Sequence, residues 1–244
     1  MNFFLSARFM MTNQSELEDE TMVELADIDS QAASTLVCDF MICARCGIVD
    51  RKESRLVVNS DCPACQRPAG VACLYYSDRF HILVDLMKQT YHSSGPVDTI
   101  ISGPQAQNIG TIIFFCTLRE ALLNHFLLKL LLAQRVPARV IEKLFDDNKL
   151  ANQKFNSLFP AVTGNSWKVA VQEASKYDDT NYNEISDLMR EAADIRNKFM
   201  HEGMGWAATR EVATNCINAL FCLFSLFVAL HNIYVRPHLR ENNI

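Results

Sequence analysis

The sequence predicts a mainly α protein: an up-and-down helical bundle preceded by a small β unit organised by cysteines. Three observations carry this. From Ser77 onward, apolar residues recur at helical spacing in runs separated by Gly, Pro, Asn and Ser. Two of these runs, about 104–134 and 207–234, are long and strongly apolar, as the central helices of a bundle must be. Ahead of them, Cys43-Ala-Arg-Cys46 and Cys62-Pro-Ala-Cys65 form two CxxC pairs separated by fifteen residues.

The chain divides accordingly. Residues 1–37 read as an acidic, flexible leader, with Glu and Asp concentrated between positions 16 and 29. Residues 1–44 carry one Arg against eight Asp and Glu, a net −7, within a chain total of −5; the remainder is therefore +2. So small a surplus permits a polyanionic partner without requiring one. The opening MNFFLSARFM has a short apolar patch but no cleavage-like segment. With nine cysteines, an odd number, this points to a reduced, cytoplasmic protein.

Residues 38–77 match a zinc ribbon. Two CxxC knuckles at this spacing can converge four thiolates, Cys43, Cys46, Cys62 and Cys65, on one closed tetrahedral site holding one structural zinc. Gly47 after the first pair and Pro63 inside the second suit the tight turns required. Strands are expected at 55–58 and 71–76, and so small a unit depends on its metal for folding free energy. A redox dithiol would need only one CxxC, on an α/β frame. Cys38 and Cys73 flank the site as spare thiols, and Arg45, Arg51, Lys52, Arg55 and Arg67 outnumber the local acids.

Residues 78–235 form the expected bundle, and 236–244 a tail. Ser77 or Asp78 can cap a first helix that Ser93-Ser94-Gly95-Pro96 ends. The long run 104–134 contains Arg119, Glu120, His125 and Lys129 near its middle, which argues against a membrane span. Pro137 opens the next helix, and Gly164-Asn165-Ser166 precedes one from Trp167 to about Tyr177. Another runs from Asn183 to His201, where Gly203 and Gly205 stop it. The last, 207–234, has an apolar heart at Cys216–Leu230, fifteen residues against the ~20 a span needs. Pro237 is expected to end it.

The candidate reactive group lies at the end of the penultimate helix: Arg196-Asn197-Lys198-Phe199-Met200-His201. Asn197 and His201, four apart, share a helix face, whereas Arg196 and His201 stand about 140° apart on it. Arg followed by a polar residue, with His shortly after and Gly beyond, in an all-helical frame, resembles the Arg-X4-6-His motif of HEPN domains. The resemblance covers 78–235, including the Glu120-Ala-Leu-Leu segment. It implies a metal-independent endoribonuclease in which RNA's 2′-OH attacks the adjacent phosphorus, leaving a 2′,3′-cyclic phosphate. On that reading Arg196 grips phosphate, His201 acts as base or acid, Asn197 orients one of them, and Glu120 assists.

The resemblance also implies a homodimer, in which a twin completes each motif, and a setting as a toxin or antiphage effector with a protein partner or antitoxin. An aliphatic face carrying Leu127 and Leu130 is a candidate interface. The alternatives are a non-catalytic RNA- or nucleotide-binding module and a protein-interaction unit of a larger complex.

Overall fold

A computed structural model describes residues 36–51, 56, 61–66, 70–75, 77–93 and 103–241. The leader lies outside these up to residue 35, and so does the strand expected at 55–58 apart from Leu56, which is buried. The core begins at once: Leu36 and Val37 are already inside it.

Three short strands, β1 (Phe40–Cys43), β2 (Val49–Arg51) and β3 (Val71–Cys73), make one antiparallel sheet in the order β2-β1-β3. The register pairs Met41 with both Asp50 and Cys73. β3 falls inside the expected strand 71–76. β1 and β2 flank the first CxxC pair, where the turn that carries the pair itself makes the hairpin.

The helices follow as α1 (Asp78–His92), α2 (Gly103–Ala133), α3 (Ala138–Asp147), α4 (Ala151–Gln153), α5 (Phe159–Thr163), α6 (Trp167–Asp178), α7 (Tyr182–Glu202), α8 (Arg210–Asn218), α9 (Leu220–Leu230) and α10 (Arg236–Glu241). α2 is the central rod, packed against α1, α7, α8 and α9. Its Ile112, Leu118, Leu122 and Leu123 are wholly buried. Leu127 and Leu130 are buried as well, so they belong to the core and cannot serve as the dimer face expected of them. α2 and the 220–240 run are long and apolar enough to cross a membrane, yet more than half of each apolar stretch is covered by the bundle.

The last helix differs most from expectation. It begins at Thr209, whose hydroxyl accepts from the Val212 N–H, and is interrupted at Ala219. It then passes through a π turn, His231–Val235, and continues past Pro237 to Glu241. The proline does not stop it because Pro237 falls in the first turn after the π turn, where a missing N–H costs least. Pro160 repeats the device: it follows the π turn Lys154–Leu158 and sits in the first turn of α5.

The sheet is fastened to this end of the bundle. The Asn232 carboxamide accepts from the Val49 N–H at 2.9 Å and donates to the Val49 carbonyl at 2.8 Å, closing the outer edge of β2 as a strand would. His231 Nε2 lies 3.1 Å from the Gly47 carbonyl. Phe40 stacks on Phe221 and Phe224, with ring centroids 5.7 and 6.1 Å away.

Candidate functional site

The four cysteines of the two knuckles meet at one point. The Sγ atoms of Cys43, Cys46, Cys62 and Cys65 all lie within 4.8 Å of one another, and Cys46 and Cys62 are 3.7 Å apart. A tetrahedron with metal–sulfur bonds of ~2.3 Å places its sulfurs about 3.8 Å apart, so the donor set fits a single tetrahedral ion. The backbone explains the convergence. The Cys43 carbonyl accepts from the Gly47 N–H at 2.9 Å, and the Cys62 carbonyl from the Gln66 N–H at 2.7 Å. Both fifth positions are left-handed, Gly47 at φ 68° and Gln66 at φ 54°. A Cβ on Gly47 would also meet Leu239 Cδ1 at 2.5 Å, so a larger residue there would have to displace that side chain. Burial pushes the Cys46 thiol up to about 12, with further upward pressure from Cys62 and Cys43. A shared cation would let four thiols this close ionise together.

Cys38 and Cys73 stay outside this cluster. The Cys73 thiol donates to the Val37 carbonyl at 3.3 Å, and Cys38 Sγ lies 3.9 Å from His81 Nε2.

The second site lies where α2 crosses α7. Arg196 donates from Nη2 to Glu120 Oε1 at 2.7 Å, and the same oxygen lies 3.6 Å from Arg119 Nη2. Arg119 is 5% exposed and also donates to the Met189 carbonyl at 2.7 Å. Cys116, buried one turn earlier on α2, contacts Arg196; burial pushes its thiol up against the pull of both guanidinium groups. One carboxylate thus serves two guanidinium groups, and Asp194 adds a second negative charge near Arg119. Arg119 and Cys116 carried no role in the sequence reading. The signal was there: an arginine inside a strongly apolar run must be either exposed or paired.

Asn197 opens from this cluster into a groove of about 530 Å³ between α7, the α4–α5 segment and the start of α6, with Arg119 in its lining. His201 stands one helical turn beyond Asn197, exposed in the last turn of α7. That helix does not loosen at its end. It runs to Glu202 and closes on Gly203, at φ 68°, whose N–H donates to the Phe199 carbonyl at 2.9 Å. The structure therefore joins Arg196 to Glu120 and Asn197 to the groove, while Arg196 and His201 keep their separation around one unbroken helix. A larger groove along α7, about 1010 Å³, shares Asp187, Arg190 and Asp194 with the first. Its four acids, Glu184, Asp187, Glu191 and Asp194, outnumber Arg190 and Lys198 and make it poorly suited to a polyanion.

Two other histidines pack into the core. His125 lies against Tyr75 and Phe80, each at 5.6 Å, and burial pushes it down to about 4. His231 is pushed down to about 4 for the same reason.

Comparison of the chain with known protein families, curated proteins and solved structures gives no match.

Proposed function

We propose that the protein is an endoribonuclease of HEPN type, cutting RNA through attack of the 2′-OH on the neighbouring phosphorus and leaving a 2′,3′-cyclic phosphate. The supporting observation is the Glu120–Arg196 pair beside the buried Arg119, with Asn197 and His201 following on α7. Cleavage of this kind needs a base for the hydroxyl, an acid for the leaving 5′-oxygen and positive charge for the phosphorane oxygens. Glu120 fixes one edge of the Arg196 fork, and that guanidinium is the group that would meet phosphate. His201 supplies the imidazole, the group suited to proton transfer near neutral pH.

The separation of Arg196 and His201 around α7 calls for a second copy, whose His201 faces the first copy's Arg196. Met200, Met204 and Trp206 are 62%, 44% and 71% exposed on that helix end and the turn after it, and they supply apolar surface for such a homodimer. The four-cysteine site holds zinc in this reading. Its part is to stabilise the ribbon, which in turn offers a surface for substrate or partner.

The test is incubation of purified protein with tRNA or mRNA without added divalent ion, followed by end-group analysis. New 5′-hydroxyl and cyclic phosphate ends are expected, absent with Arg196→Ala and with His201→Ala. Cleavage unchanged in both variants refutes the site. RNA bound but uncut by the wild-type protein moves the assignment to a non-catalytic binding module, the reading favoured if the two side chains never meet.

A further inference from the structure

We infer that the groove between α7, the α4–α5 segment and the start of α6 is a nucleobase pocket, taking a base of the RNA whose phosphate lies at Arg196. The inference rests on the RNA reading above for its ligand class, but its evidence is separate. Three side-chain carboxamides, Asn152, Asn156 and Asn197, line the groove, and Phe155 and Trp167 give it an aromatic side. Carboxamides both donate and accept, as the edge of every base does, and aromatic rings supply the apolar surface that a flat base covers. Asn152 and Asn156 are exposed and one helical turn apart, so both amides are available from the same side.

The groove is built rather than incidental. Trp167 Nε1 donates to Ser186 Oγ at 3.1 Å, and its ring meets Phe155 edge-on at 4.7 Å, which holds the aromatic side in place. The Arg119 guanidinium carbon lies 5.2 Å from the Phe155 ring centroid. Arg119 is almost wholly buried, and its Nε has no partner among the described residues. A cation so placed favours carbonyl oxygens, of which three of the four RNA bases carry at least one.

Charge distinguishes a base from a phosphate. Asp187 and Asp194 share the lining with Arg119, Lys168 and Arg190, and Arg190 is already paired to Asp187 at 3.0 Å. Much of the groove's positive charge is therefore answered internally. A neutral, flat, hydrogen-bonding group fits it better than a dianion, which would face two carboxylates. The volume of about 530 Å³ lies within the ~300–1,000 Å³ of small-molecule sites. Asn197 connects the two subsites, since it lines the groove and directly follows Arg196 in the chain.

The experiment uses the full chain. Trp206, one of the two tryptophans, is replaced as Trp206→Phe so that Trp167 alone reports. The protein is titrated with AMP, GMP, CMP and UMP, and with ribose 5-phosphate as the ligand without a base. Saturable quenching by at least one nucleotide and none by ribose 5-phosphate is expected. The double variant Asn152→Ala/Asn156→Ala, at exposed positions, should weaken that binding about tenfold, the lower end of what a lost bidentate base contact costs. The inference is overturned if no nucleotide quenches, if ribose 5-phosphate quenches equally, or if the double variant binds as before. Nucleotide binding without RNA cleavage sinks the nuclease reading and leaves the pocket standing. Cleavage with a Trp167 signal blind to every base sinks the pocket alone.

Discussion

Glu120 accepts from one half-buried guanidinium and stands close to another that is almost sealed, so its replacement should disturb function more than folding. Glu120→Gln keeps the shape and removes the charge. Cleavage is expected to fall at least tenfold, because the Arg196 fork loses the charge-assisted bond that aims it. Arg196 and Glu120 are both about one-third exposed, so stability should change by only about 1 kcal/mol, read as a small shift in Tm. Arg196→Lys keeps the charge but loses the fork, and should fail nearly as badly as Arg196→Ala, with cleavage reduced about 100-fold or more. A lysine variant that cuts at the wild-type rate would show that the planar fork is irrelevant. At this scale the sequence was partly legible. Arg196, Asn197 and His201 stood out by type and spacing. Arg119 did not, because its burial is set by where Met189 and Phe155 arrive from distant parts of the chain.

Between the elements, the firmest joint is the one made by a π turn. Asn232 faces β2 because the helix register slips by one residue across His231–Val235, and its two hydrogen bonds satisfy both backbone groups of Val49. Asn232→Leu leaves that buried N–H and carbonyl unanswered. The cost should be about 2 kcal/mol or more, measured as a lower urea midpoint with an unchanged slope. Pro237→Ala, by contrast, should change stability by less than about 1 kcal/mol, because the first turn after the slip makes no demand on that N–H. The same slip explains why the end of the bundle could not be read in advance. A proline in an apolar helical run normally marks a stop, and no local pattern announces the π turn that excuses it. The cysteine knuckles were legible for the opposite reason: spacing alone brings the four thiols together, although nothing in the sequence marked Gln66 as left-handed.

Across the whole molecule, metal and acid are the two levers. Cys62→Ser, or a strong chelator, should release about one zinc per chain under the four-thiolate reading. The loss should spread beyond the ribbon: amide exchange should rise over 231–241, because His231, Asn232 and Leu239 rest on the first knuckle. Zinc retained in Cys62→Ser would exclude this ligand set. Acid should also destabilise the protein through two imidazoles, one buried and one half-buried. His125 and His231 are held down to about 4, against an ordinary value near 6.5, so the unfolded chain binds more protons between those limits. Their contribution is complete above about pH 6.5 and is lost as pH falls toward 4. For His231 it amounts to about 3 kcal/mol at most. A Tm that stays flat from pH 7 to 4.5 would contradict it. His231→Gln should flatten part of that slope.

The bonds from Gly47 and Val49 to His231 and Asn232 bridge 183 to 184 positions of chain. During synthesis the ribbon therefore leaves the ribosome long before its landing surface does, and Phe40 must wait, uncovered, for Phe221 and Phe224. Early metal capture would keep the waiting hairpin from pairing with a neighbour on the same polysome. If the four thiolates take zinc, a cell starved of it should show the shortage first as aggregated newborn chains, while copies already assembled carry on.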